Sequence, residues 1–437
     1  MSGADEDPNT EQALRVLGTP PGRPLEVDGR PLTELAASFG TPLYVFSAAI
    51  LRTRLAAVQA ALGPRFDGLW SVKANPSVAV TAALRRAGAG AEIASIGELE
   101  VALAAGHSAS DLRFAGPGKT DHELDVALTR GVGTIHVESL DELQSLADLA
   151  ASRQAAAKVA LRINLPQELQ GARMRMGGRS SRFGVDLDQV PEAVEVIRAR
   201  PHLDLRGLHV YGGTQTCDAH AFAAHARALC AHAARWEREL DVRIDELDLG
   251  GGFGAPVFQG DPTFDLDAAG AALRELLEEY DRGGRRWFVE LGRFLAAPAG
   301  VYVARVVRTK SSGGHFHAVA DGGMHHAAAP AGLGTIVRRP PMLTPVAPRA
   351  GDRRPVTIGG PLCTPADQFC DQLMLPPIER GDLVAVLHAG AYGLTYSPAR
   401  FLSHASPAEV FVDGGEARVV RARGAATDAI RDQRLED

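Results

Sequence analysis

Between Leu69 and Arg293 the chain repeats one pattern. A short apolar run leads into a polar or glycine-rich turn, then into a longer segment whose apolar positions recur every three or four residues. Such short runs predict β-strands and such periodic segments predict amphipathic helices. Eight strands are predicted: Leu69–Asn75, Gly90–Ser95, Leu112–Pro117, Thr134–Ser139, Lys158–Asn164, Leu205–Gly212, Glu246–Gly252 and Arg286–Arg293. Helices are predicted between them at Ser77–Ala87, Ile96–Gly106, Asp121–Arg130, Leu140–Gln154, Leu187–Ala199, Ala219–Leu240 and Ala268–Arg282, and ahead of them from Ser47 to Leu62. Two helix starts, Ser95-Ile-Gly-Glu98 and Ser139-Leu-Asp-Glu142, have the spacing of a capping box. Alternating strands and helices with short turns require a parallel sheet, and eight units predict a closed (β/α)8 barrel over residues 47–302.

The alternation then stops. Val303–Arg308, His315–Asp321, Val356–Ile358, Leu383–Leu387, Glu409–Val412 and Ala417–Arg421 read as strands separated by Gly, Pro and Asp. They predict an all-β domain over 303–423, joined by 23–46, where Arg23–Leu32 and Pro42–Phe46 also read as strands. Residues 1–22 and 424–437 are expected to be mobile tails.

Composition narrows the class. For a chain of 437 residues, a net charge of −7 argues against general nucleic-acid binding, which wants a basic face. No apolar run is long enough for a membrane span, and the first residues are acidic and polar, unlike a signal peptide. Cys217, Cys230, Cys363 and Cys370 form no CxxC pair, so neither a disulfide framework nor a zinc site is expected, and a reduced cytoplasmic protein is. His315/His317 and His325/His326 lack an acidic third ligand at suitable spacing, and no metal is expected.

Candidate chemistry sits at the strand ends, where barrels of this kind build active sites. Leu69-Trp-Ser-Val-Lys73-Ala-Asn delivers one amine to the end of the first strand, and lysine is the side chain that joins a carbonyl cofactor such as pyridoxal phosphate. Gly250-Gly251-Gly252 follows the seventh strand, where bare backbone amides approach an anion. Glu290-Leu-Gly292-Arg293 ends the eighth: a carboxylate for a ring nitrogen and a guanidinium for phosphate. His209 and Tyr211 alternate at the end of the sixth, either one a flat group for a planar cofactor, with Thr214 beyond them as a phosphate cap.

Lys73-Ala-Asn, His209…Gly-Thr-Gln, the glycine run, Glu290-Leu-Gly-Arg293, Gly-Pro-Leu-Cys363 and Gly-Ala-Tyr392-Gly occur in one order. In that order they resemble the fold type III pyridoxal-phosphate decarboxylases, the diaminopimelate/ornithine decarboxylase family, whose barrel is like that of alanine racemase. The resemblance runs from about residue 40 to about residue 420. It implies pyridoxal 5'-phosphate on Lys73, Glu290 at the pyridine nitrogen, Glu92 near the ring, and phosphate held by Gly250, Gly251, Gly252, Thr214, Arg293 and Tyr392. It also implies a head-to-tail homodimer in which Cys363 enters the site from the second subunit. The racemases of this fold place an arginine at the ring nitrogen, so Glu290 favours decarboxylation over racemisation.

Three departures concern the substrate. Thr364 follows the cysteine where the diamino-acid enzymes have Glu or Asp. Asp321-Gly-Gly-Met-His-His-Ala-Ala-Ala-Pro lacks the arginine expected for a distal carboxylate, and the ring-stacking histidine corresponds to Tyr211, leaving His209 as the other candidate. These stretches resemble a smaller subgroup, the butirosin-type glutamyl-acyl-carrier-protein and exosortase-associated decarboxylases. They imply an amino acid with a neutral, acylated or carrier-tethered distal end; a free diamino acid, or racemase chemistry, is the alternative. Arg182, Thr364 and Asp367 are the substrate-side candidates. The basic stretch Gln170–Gly184, with Arg173, Arg175 and Arg179, is expected over the barrel mouth, as a solvated lid or a docking site for an acidic carrier.

Overall fold

A computed structural model describes residues 7–19, 23–166, 174–175 (backbone only), 180–281, 283–332 and 339–435. Arg173 and Arg179 lie outside them, and of Arg175 only the backbone is described. The chain divides into two units.

The first unit holds Thr53–Gly254 and Thr263–Phe294. Its strands are β1 Phe66–Ser71, β2 Gly90–Ile93, β3 Leu112–Phe114, β4 Thr134–Val137, β5 Ala157–Asn164, β6 Leu203–His209, β7 Glu246–Asp248 and β8 Arg286–Leu291. Each runs parallel to the next in chain order, β8 pairs back with β1, and the ring of eight is closed. Closure leaves no open edge, and both faces of the strands are covered. That is why β3 and β4 are buried at every position, their polar residues Arg113, Thr134 and His136 included.

Helices fall where the periodicity places them, Asp121–Arg130 to the residue. Except for the fifth, which ends at Asn164 as expected, the strands end earlier than expected, by as many as four residues at the first and the seventh. The residues gained by the turns carry the candidate chemistry: Lys73 lies on a 3-10 turn, Val72–Ala74, and Arg293 opens a short helix, Arg293–Ala296. Ser95 and Ser139 cap their helices as expected, accepting from Glu98 and Glu142 backbone N–H. The two glutamates, however, accept from Ala94 and Glu138, one residue before the cap. The complete capping box is the unforeseen one at Thr120 and Glu123.

The second unit holds Arg52 and what precedes it, Ala255–Pro262, and Leu295 onward. Its central strand, Gly300–Ser312, pairs with Leu43–Ser47, Leu383–Val386 and His315–Ala320. Leu43–Ser47 therefore sits inside this mixed sheet, as expected for the early strand. Gln368–Leu375 and Leu343–Pro345 are further strands; the strand expected over Arg23–Leu32 is only the short pair Glu26–Val27 and Arg30–Pro31, and an unforeseen helix, Leu32–Phe39, follows it. Pro8–Val16, expected as part of a mobile tail, is a helix capped by Asp7. Asn9 ties it down by donating to the Asp261 and Phe258 carbonyls at 2.9 and 3.3 Å. No helix among the described residues is long and apolar enough to cross a membrane.

Candidate active site

In the register of β1 and β2, Ser71 lies opposite Glu92. The turn after Ser71 therefore sets Lys73 just above Glu92, and Nζ donates to both carboxylate oxygens at 2.8 Å. The Lys73 side chain keeps 35% of its exposure while Glu92 keeps 1%, so the amine is reachable and its acid is not. Burial raises the Glu92 carboxyl and Lys73 opposes the rise without cancelling it. Lys73 Nζ also lies 5.6 Å from the centre of the Tyr211 ring.

Tyr211 is half-buried just past the end of β6, and the Arg162 guanidinium lies 5.9 Å from its ring centre. His209, the last residue of β6, is 1% exposed. Its ring lies 4.4 Å from that of His136, and its Nε2 is 3.1 Å from Glu290 Oε1. That approach is off the hydrogen-bonding direction, and both His209 nitrogens and both Glu290 oxygens lack a hydrogen-bond partner. The two candidates for ring stacking thus occupy different places: Tyr211 beside the reachable amine, His209 against the buried acid.

The glycine run is shaped by close packing. Gly250 and Gly252 have φ of +67° and +91°, and a Cβ on Gly251 would stand 1.9 Å from the Glu290 carbonyl oxygen. Asp248 Oδ1 accepts from Gly250 N–H at 3.0 Å, and Gly250 O accepts from Glu290 N–H at 2.8 Å. Gly213–Thr214 pairs antiparallel with Met174–Arg175, which brings the backbone of the basic stretch beside Thr214. Gly292 and Arg293, both half-buried, follow Glu290 after the buried Leu291.

These residues fit pyridoxal phosphate on a point of chemistry. Glu290 is 2% exposed with both oxygens unsatisfied. A buried carboxylate left so is costly, and a protonated ring nitrogen would supply the missing donor.

Sequence reasoning missed the charges behind this site. Arg162 pairs with Glu138 and Lys119 with Glu142, each at 2.8 Å, and Arg113 with Glu246 at 3.4 Å. Glu138 also accepts from Gly184 N–H at 3.3 Å, holding the Ser181–Gly184 stretch. The available signal was a charge at the end of an apolar strand, as at His136, Glu138 and Arg162. The reading also missed one donor set with metal-ligand spacing: His136, His209, Asp248 and Glu290 each offer an atom within 4.8 Å of the others.

Glu98 yields a stability prediction. Burial, reinforced by Glu92, pushes its carboxyl up to about 7. The folded protein therefore binds this proton more tightly than the unfolded chain, so the stability it confers is complete below the ordinary carboxyl range and is lost as pH rises through about 7. Glu98→Gln, which still accepts from Ala94, is expected to stabilise the protein by on the order of 1–3 kcal/mol at about pH 8 and not at about pH 4. Thermal melts at the two pH values check this.

In the second unit Cys363 is exposed on the turn between the strands Arg354–Gly359 and Gln368–Leu375, and Tyr392 is half-buried in a tight turn with φ of +53°. Thr364 Oγ1 accepts from Ala366 N–H at 3.3 Å. Asp367, a substrate-side candidate, is held by backbone amides. It is 6% exposed and accepts from Met324 N–H at 2.7 Å and Leu362 N–H at 2.8 Å. A Cβ on Gly323 or Gly360 would stand 2.1 or 2.3 Å from its oxygens. The carboxylate is a clasp that ties the Cys363 turn to the Asp321–Met324 stretch. Asp367→Ala leaves both amides unsatisfied and is expected to cost about 2–4 kcal/mol in denaturant unfolding. Arg182, in the barrel unit, is exposed with its guanidinium 5.0 Å from the Phe183 ring.

Residues 48–297 match the family model for the pyridoxal binding domain of pyridoxal-dependent decarboxylases. The chain is 33% identical over 417 residues to the L-glutamyl-[BtrI acyl-carrier protein] decarboxylase of Niallia circulans, covering 94% of this chain and 97% of that one. It is 32% identical over 413 residues to the diaminopimelate decarboxylase of Zymomonas mobilis, covering 93% and 96%. The structure of diaminopimelate decarboxylase from M. jannaschii matches with a TM-score of 0.89 at 24% identity, over 97% of this chain and 99% of that one, and shares its fold. With a closed barrel, a reachable lysine and an orphaned acid inside it, the chain belongs to the fold type III pyridoxal-phosphate-dependent decarboxylases and is an amino-acid decarboxylase.

Proposed function

We propose that the substrate is an α-amino acid whose distal end carries no free ammonium, being neutral, acylated or tethered to a carrier protein. The observation that carries this reading is the clasp. Asp367 is the only acid in the Gly359–Asp367 turn, and its oxygens are taken by Met324 and Leu362. The turn bearing Cys363 thus offers no carboxylate to a distal ammonium, and an unpaired ammonium in a desolvated site costs several kcal/mol. The resemblance to a decarboxylase named for a glutamyl carrier protein agrees with it.

The residues divide the work. Lys73 Nζ holds the cofactor's carbonyl carbon, with Glu92 fixing the amine. Tyr211 would cover one face of the ring, and Glu290, with His209 beside it, would accept a hydrogen bond from the protonated ring nitrogen. The amides of Gly250–Gly252, with Thr214, Arg293 and Tyr392, hold the phosphate. Bound pyridoxal phosphate supplies the electron sink that lets CO₂ leave the α-carbon. Cys363 Sγ, entering from the second subunit of a homodimer, returns a proton to that carbon and leaves a primary amine. Arg182 and Thr364 line the substrate side.

The test is CO₂ release across a panel of diaminopimelate, ornithine, lysine, arginine, glutamate and a glutamyl-carrier thioester. The reading expects kcat/KM for the thioester to exceed that for any free diamino acid by about 100-fold or more. Fast turnover of diaminopimelate would replace this reading with that of a diaminopimelate decarboxylase.

A further inference from the structure

Among the described residues, four cations of the barrel pair with acids there: Lys73 with Glu92, Arg113 with Glu246 (which Arg286 also approaches, at 3.8 Å), Lys119 with Glu142 and Arg162 with Glu138. Two acids remain, Asp248 and Glu290, and among the described residues neither has a Lys or Arg ion-pair partner. Both are 2% exposed, and Asp248 Oδ2 and both Glu290 oxygens lack a hydrogen-bond partner. They converge with His136 and His209 within 4.8 Å. Burial holds both imidazoles well below their ordinary range, so neither histidine brings a positive charge. Burial raises both acids, and Glu290 raises Asp248 further. Two carboxylates this close in a dry interior do not both ionise; the pair titrates as one unit.

We propose that Asp248 and Glu290 hold one proton between them, which rests on Asp248 once the cofactor is bound. Asp248 is then a neutral acid, its Oδ1 still accepting from Gly250 N–H. Glu290 carries the single charge that answers the ring nitrogen, with the neutral His209 as its nearest polar neighbour. Asp248 is a positioning residue: it touches neither cofactor nor substrate and acts through Glu290. The alternative use of these four donors, a divalent cation, would set two further positive charges among four cations and occupy the carboxylate that faces the ring.

The inference rests on the placement of Glu290 under Proposed function, and the experiment separates the two. Pyridoxal phosphate labelled with ¹⁵N in the ring is bound to wild type, Asp248→Asn and Glu290→Gln, and its nitrogen shift and dissociation constant are measured. Asp248→Asn makes the neutral state permanent. It is expected to keep the protonated nitrogen, with a dissociation constant within about threefold of wild type. Glu290→Gln is expected to lose the ring proton and bind about 10- to 100-fold more weakly, as befits loss of a charged hydrogen bond. If Asp248→Asn loses the ring proton as Glu290→Gln does, both carboxylates must be charged and the shared proton is overturned. If Glu290→Gln keeps it, the placement of Glu290 fails, and the inference with it. A second measurement needs no variant: Co²⁺ added to the wild-type apoenzyme. Absence of a visible tetrahedral cobalt band supports the shared proton, and a band abolished by pyridoxal phosphate would make the cluster a cation site and overturn it.

Discussion

Lys73→Ala is expected to abolish CO₂ release, lowering kcat by on the order of 10⁴- to 10⁶-fold, the scale on which a catalytic nucleophile is lost. The amine is the one part of the site with no substitute: the other lysines are Lys119, Lys158 and Lys310. Lys119 is 1% exposed and tied to Glu142, while Lys158 and Lys310 are exposed on strands. The substitution also acts on the fold. Glu92 is 1% exposed and both its oxygens accept from Lys73, so the alanine leaves a buried acid without its cation. That acid then takes up a proton, and the variant loses stability as pH rises. Lys73→Arg separates the two effects. It keeps a cation beside Glu92 and with it most of the stability, yet activity falls as far as in the alanine variant, because a guanidinium does not form the bond to the cofactor. Assay of CO₂ release beside thermal melts of both variants reads the two separately.

Gly251→Ala is expected to have the next largest effect, although it removes nothing. The added methyl would stand 1.9 Å from the Glu290 carbonyl oxygen and 2.8 Å from its carbonyl carbon. Both are backbone atoms of β8 and cannot swing aside as a side chain would. One of two things must move: the glycine run, whose amides are proposed to hold the phosphate, or the end of β8, which carries Glu290. Either movement spoils a site that acts by positioning, and overpacking a dense interior costs about 1–3 kcal/mol in addition. The cofactor dissociation constant is expected to rise by about 100-fold or more. An exposed glycine offers the contrast: a Cβ on Gly118 would meet nothing within 4 Å, so Gly118→Ala is expected to leave cofactor binding at the wild-type value. Cofactor titration of the two apoenzymes gives the comparison.

The barrel was legible because its signal is collective. Eight apolar runs, each followed by a helical period, admit few arrangements, and a slip of several residues at a strand end changes none of them. The strand ends themselves were misjudged for a physical reason. Lys73 and Tyr211 follow apolar residues and look like strand, but the backbone has already turned, since a side chain that reaches into the barrel mouth must leave the ladder. Lys73 was identifiable as a lone amine closing an apolar run. Glu290 stood out as an acid inside another, although its want of a partner appears only in three dimensions.

The four ion pairs were not legible. Arg162 and Glu138 lie 24 residues apart at neighbouring strands, and Arg113 and Glu246 lie 133 apart on β3 and β7, so only the folded barrel brings each pair together. Asp367 looked like a substrate ligand because it is the one acid near Cys363. Its true partners are backbone amides, which no sequence displays. Similarly, the spacing of Ser95 and Glu98 called for a reciprocal cap, and the glutamate bonds Ala94 instead because the chain enters that helix along an extended Ser95.

Reduction of the holoenzyme with borohydride, followed by peptide mass mapping, tests the central claim most directly, because it fixes the cofactor to whichever amine holds it. The label is expected on the peptide carrying Lys73, one label per chain, with Lys119, Lys158 and Lys310 unmodified. A label on any of those three, or none at all on an enzyme that releases CO₂, would contradict the account.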